Sequence, residues 1–199
     1  MVVANAVRMA HQFILPRLAN ARTVVDATAG NGNDTLFLAE NTPDATTVFA
    51  FDIQQQGLSK TETLLTGRNL RHKVRLILDS HSHLNKYLHQ QLDAVMFNLG
   101  YLPGSDHKLS TNPATTIEAA HQALQLLNIG GVMTIAVYPG YEHGRLECQA
   151  VYEYLAILNQ KVFSVACWSM VNQKNNPPLL YVIEKIRSEP LEGITSLKD

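Results

Sequence analysis

The stretch VVDATAGNGNDTLFLAE, residues 24–40, joins a β-branched run to a glycine-rich turn and then to an amphipathic segment. It predicts a strand that ends near Asp26, a tight turn through Gly30 and Gly32, and a helix. Asp52 ends the next β-branched run, TTVFAFDI, about 20 residues past the turn, where an acidic residue can accept hydrogen bonds from ribose hydroxyls. This spacing favours a cofactor that contains a nucleoside.

The turn itself distinguishes between such cofactors. A dinucleotide site follows the pattern G-x-G-x-x-G, but GNGNDT, residues 30–35, puts Thr35 at the third glycine and Asp34 before it. A β-branched residue there hinders close packing of the helix on the strand, and a carboxylate at the helix start repels a diphosphate. S-adenosylmethionine (SAM) has no phosphate and carries a sulfonium and an ammonium group, so we predict SAM. Asp34 also fits a plain N-cap for a helix that Thr35 opens.

A second motif follows the predicted fourth strand. The segment NLGY, from Asn98 to Tyr101, is similar to the N-P-P-Y motif of methyltransferases that act on exocyclic or primary amines. An asparagine carboxamide oxygen and a nearby backbone carbonyl can accept hydrogen bonds from an amine and orient its lone pair toward the methyl group. The ring of Tyr101 can stack on a base. The alternative is a plain turn at which the chain leaves the strand.

These motifs need a scaffold, and strands alternate with helices along the chain. The alternation builds βαβ units and predicts a mostly parallel sheet with right-handed crossovers. VNQKNNPP joins the last two strands without a helix, which favours an antiparallel pair at the sheet edge. We expect one doubly wound α/β domain over residues 1–199. The predicted helices are 5–20, 34–40, 57–70, one that starts at Pro113 and is capped by Gly130–Gly131, and 144–159; the predicted strands are 23–27, 46–53, 73–80, 92–97, 132–139, 162–170 and 178–186.

Ligands of such sheets bind outside the carboxyl ends of the strands. Those ends carry the polar, glycine-containing segments DATAGNGND, FDIQ, DSHSH, NLGYLPG and YPGYEHG. The eight histidines include no H-x-x-x-H pair, and the two cysteines, Cys148 and Cys167, have no CxxC spacing, so we predict no metal site. The strand ends therefore indicate an organic ligand.

Composition narrows the class of protein further. With 199 residues, 46% hydrophobic and 17% charged, the chain is typical of a soluble globular protein. The net charge of −1 is not the strongly positive charge typical of nucleic-acid-binding proteins, so a nucleic-acid substrate would need a local basic patch. The N-terminal segment predicts neither a signal peptide nor a membrane span, and the cysteine usage favours a reducing cytoplasm.

Taken together, VDATAGNGNDTLFLA, FDIQ, FNLGYLPG, TTIEA, YPG and NQKNNPP resemble a small family of SAM-dependent methyltransferases once labelled rRNA methylases. The resemblance runs from about Thr23 to Lys185, with the motifs in the same order. Characterised members methylate 5-aminomethyl-2-thiouridine at the tRNA wobble position. The resemblance implies a class I SAM-dependent methyltransferase (Rossmann-like) fold, SAM as methyl donor and a tRNA anticodon stem-loop as substrate. Whether the protein forms a homodimer is left open.

The resemblance also implies roles for individual residues. Asn98 and Tyr101 are the predicted catalytic residues, and Leu99, Gly100, Tyr101 and Tyr141 are predicted to bind substrate. The family usually has a Gly-His pair after the YPG strand end, whereas here Gly140 is followed by Tyr141 and the nearest histidine is His143. The predicted cofactor-binding residues are Asp26, Gly30, Asn31, Gly32, Asn33, Asp34, Thr35, Asp52, Ile53, Gln54, Ser80, His81 and Asn98.

Three functions remain open at this point. The chain methylates a tRNA amine, it methylates another RNA or a small-molecule amine, or it binds SAM without catalysis. Asn98 and Tyr101 argue against the last, because a pure binding module needs no amine-orienting motif. An aminomethyl group on a uracil ring is less basic than lysine, which favours positioning over base catalysis. Candidate phosphate contacts are Arg8, Arg17, Arg22, Lys108 and Arg145.

Overall fold

The structure, a computed structural model, describes residues 5–100 and 111–188. Helices and strands alternate through most of these two ranges. The helices are α1 Ala6–Leu18, α2 Asn33–Glu40, α3 Gln55–Thr66, α4 Pro113–Leu126 and α5 Glu142–Ala156. The strands are β1 Thr23–Asp26, β2 Thr47–Asp52, β3 Val74–Leu78, β4 Leu92–Asn98, β5 Leu127–Val137, β6 Phe163–Ser169 and β7 Leu179–Lys185, and two short 3₁₀ segments cover Arg71–Lys73 and His81–Lys86.

The strands form one sheet in the order β3-β2-β1-β4-β5-β7-β6. Strands β1 to β5 pair in parallel, and β7 is antiparallel to both β5 and β6. The predicted mostly parallel sheet with an antiparallel pair at its edge is confirmed. The strand order reverses between β1 and β4, and the carboxyl ends on either side of such a reversal form a crevice.

Both faces of the sheet are covered, which explains the nearly continuous apolar strands. Val25, Phe97 and Ile135 belong to one buried cluster, which also includes residues of α4 and α5. Val24, Ala50 and Ala136 belong to a second cluster, together with residues of α1, α2 and α3. Within the described ranges, no helix is both long enough and apolar enough to cross a membrane.

The predicted cap of α4 is wrong. The helix ends at Leu126, and Leu127 is already extended, with φ −64° and ψ 131°, so β5 begins directly after the helix. Gly130 has φ +76° and lies where the register between β4 and β5 shifts. A Cβ on Gly131 would lie 2.9 Å from the carbonyl oxygen of Asn128. The two glycines therefore shape an irregularity inside a strand rather than a helix terminus.

Candidate active site

A cavity of about 650 Å³ opens at the carboxyl ends of the parallel strands, beside the reversal in strand order. Its volume lies in the usual range for small-molecule sites. Each of β1 to β5 contributes residues at or just beyond its end. The sequence-predicted residues that line the cavity are Gly30, Asn31, Asn33, Asp34, Asp52, Ile53, Gln54, Ser80, His81, Asn98, Leu99, Gly100 and Tyr141.

The cavity wall does not include three of the predicted cofactor residues, Asp26, Gly32 and Thr35. Tyr101 lies outside the described residues. Asp26 is fully buried, and its Oδ2 accepts a hydrogen bond of 2.5 Å from the hydroxyl of Thr35, which fastens the end of β1 to the first turn of α2. Gly32 has φ +85°, and a Cβ there would lie 2.8 Å from Oγ1 of Thr61. These three residues hold the shape of the turn, and their predicted cofactor contacts stay predictions.

Asp52 ties two loops together at the end of β2. Its Oδ2 accepts a hydrogen bond of 2.7 Å from the backbone N–H of Gly30, and its Oδ1 accepts one of 2.8 Å from the N–H of Gln54. A Cβ on Gly57 would lie 2.9 Å from the carbonyl oxygen of Gly30, so only glycine allows α3 to approach this closely. Each carboxylate oxygen keeps a further lone pair for a ligand hydroxyl.

Unpaired hydrogen-bond acceptors lie in the cavity wall. Nδ1 of His81 is 3.1 Å from the carbonyl oxygen of Ala27, and burial lowers the pKa of this histidine, so Nδ1 carries the hydrogen and Nε2 offers a lone pair. Among the described residues, Nε2 of His81 and the buried Oδ1 of Asn31 have no hydrogen-bond partner. Buried acceptors without partners are costly until a ligand donates to them. The cavity therefore fits a ligand rich in N–H and O–H donors.

This chemistry fits SAM better than a dinucleotide. SAM offers the amino group of adenine, the ribose hydroxyls and an ammonium group as donors, and its sulfonium is positive. A diphosphate offers acceptors and negative charge, which the carboxylates of Asp34, Asp52 and Asp79 in the cavity wall repel. The residues present therefore fit a SAM molecule.

Asn98 is held from three sides at the end of β4. Its backbone N–H donates to Oγ1 of Thr28 at 2.8 Å, and its carboxamide oxygen accepts a hydrogen bond of 2.8 Å from the hydroxyl of Tyr138. Its amide nitrogen donates to Oδ2 of Asp34 at 3.3 Å. Burial, together with the charge of Asp34, raises the pKa of Tyr138 to about 12, so this hydroxyl stays protonated and donates. The carboxamide oxygen keeps one lone pair for another donor.

The set of contacts extends to the first helix. Nε2 of His11 on α1 lies 2.6 Å from Oδ1 of Asp34, and its ring stacks on Phe37 with a centroid distance of 3.8 Å. Asp34 is only 5% exposed and is not the helix N-cap, which is Gly32, so that alternative is wrong. We call His11, Asp34, Asn98 and Tyr138 the Asn98 network.

Two members of this network, His11 and Tyr138, are not among the sequence-predicted site residues. Tyr138 stands in the quoted motif YPG, directly after β5, so its strand-end position was an available signal. His11 carried none, because it lies on a helix that precedes the first strand.

Gly100 and Thr111, on either side of the residues 101–110 that the structure does not describe, are hydrogen-bonded to each other. The N–H of Gly100 donates to Oγ1 of Thr111 at 3.0 Å, and the N–H of Thr111 donates to the carbonyl oxygen of Gly100 at 2.9 Å. The hydroxyls of Thr111 and Thr116 donate to the buried carboxylate of Glu147 at 2.7 and 2.8 Å. Glu147 on α5 therefore anchors the cavity wall formed by Gly100 and Thr111.

Replacing Glu147 with alanine should lower the free energy of unfolding by roughly 2–3 kcal/mol, because the buried hydroxyl of Thr116 and the half-buried hydroxyl of Thr111 lose their carboxylate acceptor. Glu147→Gln keeps one carbonyl acceptor and should cost about half as much. Urea denaturation measures both changes. Glu153→Ala, an exposed position on the same helix, is the control and should change stability by less than about 0.5 kcal/mol. An equally small effect at Glu147 would contradict the anchoring role.

Replacing the buried Asp26 with asparagine should stabilise the protein by an amount that depends on pH. Burial, then the charge of Asp34, raises its pKa from 3.8 to about 7. Between these values the folded chain holds a proton that the unfolded chain has lost, so stability falls as the pH rises. Asp26→Asn removes this ionisation and should raise the free energy of unfolding at pH 8 by roughly 2–4 kcal/mol.

The same substitution should stabilise less at pH 5, where the folded chain keeps the Asp26 carboxyl neutral. Urea denaturation of wild type and variant at pH 5, 6, 7 and 8 measures the trend. Asp44→Asn is the control, since the hydrogen bond from exposed His72 lowers the pKa of Asp44 and gives no such gain. A gain that is constant across this range would show that the ionisation of Asp26 is not its cause.

The sheet order, the glycine turn joined to Asp52 and the asparagine that ends β4 define a class I methyltransferase, whose cofactor is SAM. Residues 48–184 match the family described as "Putative rRNA methylase". The chain belongs to this family.

Individual relatives agree with the assignment. The chain is 30% identical over 191 residues to a protein of Arabidopsis thaliana named tRNA (mnm(5)s(2)U34)-methyltransferase, chloroplastic, covering 91% of this chain and 70% of the relative. It is 44% identical to a "putative rRNA-methylase" structure from Clostridium thermocellum, with a TM-score of 0.91 and coverage of 94% and 100%. It is 40% identical to a "putative methyltransferase" from Streptococcus mutans in complex with SAH, with a TM-score of 0.84 and coverage of 92% and 99%.

Proposed function

We propose that this protein transfers a methyl group from SAM to the aminomethyl nitrogen of 5-aminomethyl-(2-thio)uridine at the tRNA wobble position. The observation that carries the proposal is the carboxamide of Asn98, which lines the cavity and is oriented by Tyr138 and Asp34. The name of the Arabidopsis relative supports the same nucleoside as substrate.

The cavity residues divide into two groups under this proposal. The carboxylate of Asp52 accepts hydrogen bonds from the ribose hydroxyls, while Asn31 and His81 accept from other donors of the cofactor. When bound, SAM supplies an electrophilic methyl group on a positive sulfur. The carboxamide oxygen of Asn98 accepts a hydrogen bond from the substrate amine and fixes the direction of the nitrogen lone pair. Tyr138 keeps that oxygen turned toward the cavity.

Recognition of the anticodon stem-loop needs cations near the cavity. Among the candidate residues, Arg17 is paired with Glu184, and Lys108 lies outside the described residues. Arg8, Arg22 and Arg145 form no ion pair within residues 5–100 and 111–188. Arg22 directly precedes β1 and therefore lies at the amino ends of the strands, away from the cavity, so Arg8 and Arg145 are the proposed phosphate contacts.

Mass spectrometry of tRNA nucleosides tests the substrate. In cells that lack this protein, 5-aminomethyl-type uridine should accumulate and its methylated form should disappear. The gene for the wild-type chain should restore the methylated nucleoside, and a matched Asn98→Ala gene should not. Unchanged tRNA nucleosides would contradict the proposal and favour another RNA, a small-molecule amine or a non-catalytic SAM-binding module.

Titration of one protein sample with SAM, NAD and NADP tests the cofactor separately. We expect SAM to bind, and we expect neither dinucleotide to compete with it. Tight binding of NAD with no binding of SAM would overturn the cofactor and the reaction together.

A further inference from the structure

The Asn98 network ends in a carboxylate–imidazole pair that the positioning of an amine does not require. Oδ1 of Asp34 lies 2.6 Å from Nε2 of His11, and Oδ2 lies 3.3 Å from the amide nitrogen of Asn98. Asp34 lines the cavity, and its side chain is 6% exposed, whereas the side chain of His11 is 24% exposed. The pair therefore extends from the cavity beside Asn98 to the solvent.

An alkylamine is partly protonated near neutral pH, and its ammonium form has no lone pair with which to attack a methyl group. A carboxylate next to the amine attracts that ammonium form. An imidazole takes up and releases protons near neutral pH. The two groups together are suited to remove a proton that a purely positioning site would leave on the nitrogen.

We propose that Asp34 and His11 act together as the general base that takes a proton from the ammonium form of the substrate amine. This inference rests on the proposed function. The nitrogen releases one proton and keeps the electron pair of that N–H bond. The proton joins the Asp34–His11 pair, which changes from singly negative to neutral. The partly exposed imidazole then returns the proton to water, and Asn98 holds the neutral amine.

The surroundings of the pair are consistent with this role. In addition to burial, the negative charge of Asp34 raises the pKa of the Asp26 carboxyl at the end of β1 and the pKa of the Tyr138 hydroxyl after β5. The charge of Asp52 also raises the pKa of Asp26. In the described part of the chain, no lysine or arginine forms an ion pair with Asp34. A proton taken up here is therefore not opposed by a paired cation.

The test is the pH dependence of single-turnover methyl transfer to an anticodon stem-loop that carries 5-aminomethyluridine. Between pH 6 and 9.5, Asp34→Asn and His11→Gln should slow transfer tenfold or more at pH 6.5, within the usual effect of acid–base catalysis. Both variants should recover to within about threefold of wild type at pH 9, where the amine loses its proton unaided. His72→Gln is the matched control, because His72 forms an exposed pair with Asp44 at 2.9 Å, and its profile should equal that of wild type.

A binding measurement separates proton transfer from a role in cofactor binding. Calorimetric titration should give a SAM affinity within about twofold of wild type for His11→Gln. Because Asp34 is a predicted cofactor residue, Asp34→Asn is measured at saturating SAM, where weaker cofactor binding does not lower the rate.

Other outcomes would contradict the general-base inference or the proposed function. A loss of rate that is equal at all pH values would make Asp34 and His11 positioning residues and overturn the inference. A loss explained by weaker SAM binding would assign Asp34 to the cofactor and also overturn it. If the wild-type protein methylates this RNA, either of these results for the variants is compatible with the proposed function. A wild-type protein without turnover on this RNA would instead overturn the proposed function, and the inference with it.

Discussion

Asn98→Ala is expected to slow methyl transfer to tRNA carrying 5-aminomethyluridine by about 10²-fold or more, since misplacement of a reacting group can cost that much. The carboxamide of Asn98 is fixed by Tyr138, Asp34 and the backbone contact to Thr28, so its oxygen has a defined direction in the cavity. If this oxygen accepts a hydrogen bond from the substrate amine, as proposed, that bond should strengthen as the nitrogen approaches the methyl carbon. Such an interaction affects the rate of the chemical step more than the affinity for the cofactor.

Single-turnover kinetics measures this loss, and calorimetric titration of the same sample should show little change in SAM affinity. Tyr138→Phe, which removes only the hydroxyl that orients Asn98, should give a smaller loss of rate. Asn41→Ala is a suitable control because Asn41 is exposed and lies outside the cavity. Near wild-type turnover of Asn98→Ala would reduce the segment beginning at Asn98 to a structural turn.

Asp52→Ala is expected to weaken SAM binding by roughly 1.5–3 kcal/mol, which corresponds to roughly 10- to 150-fold in the dissociation constant. The substitution removes the proposed acceptor for the ribose hydroxyls. It also releases the backbone N–H groups of Gly30 and Gln54, which the carboxylate holds at 2.7 and 2.8 Å. Both effects act on the same wall of the cavity.

Asp52→Asn separates the two contributions, because it keeps one carbonyl acceptor but not the charge, and its affinity should lie between those of alanine and wild type. Asp44→Ala, at an exposed position away from the cavity, should bind SAM like wild type. Circular dichroism verifies that each variant is folded. Unchanged SAM affinity in folded Asp52→Ala would remove Asp52 from the ribose site.

Local patterns in the chain predicted much of the scaffold. β-branched runs, glycine turns and the absence of a helix in VNQKNNPP depend on neighbouring residues, so they predicted the parallel strands and the antiparallel pair. The same strand ends placed Asp52 and Asn98 at one edge of the sheet, because parallel strands end on the same side. The pair Gly130–Gly131 shows the limit, since a glycine pair fits a helix cap and a strand irregularity equally well.

The tertiary structure decided which side chains meet. His11 and Tyr138 lie 127 positions apart in the sequence, and only the packing of α1 beside the sheet brings both to the Asp34–Asn98 contact. The side chains of Asp26 and Thr35 are also buried in the tertiary structure, although both residues lie beside the glycine turn in the sequence.

By itself, then, the sequence determined the family resemblance, the order of the elements and the residues at the strand ends. The insertion of β7 between β5 and β6, the buried carboxyl of Asp26 and the Asn98 network came only from the tertiary structure. The physical reason is that strand formation and turns follow local periodicity and backbone preference. Side-chain direction, burial and the electrostatic field depend instead on contacts between segments that are distant in the chain.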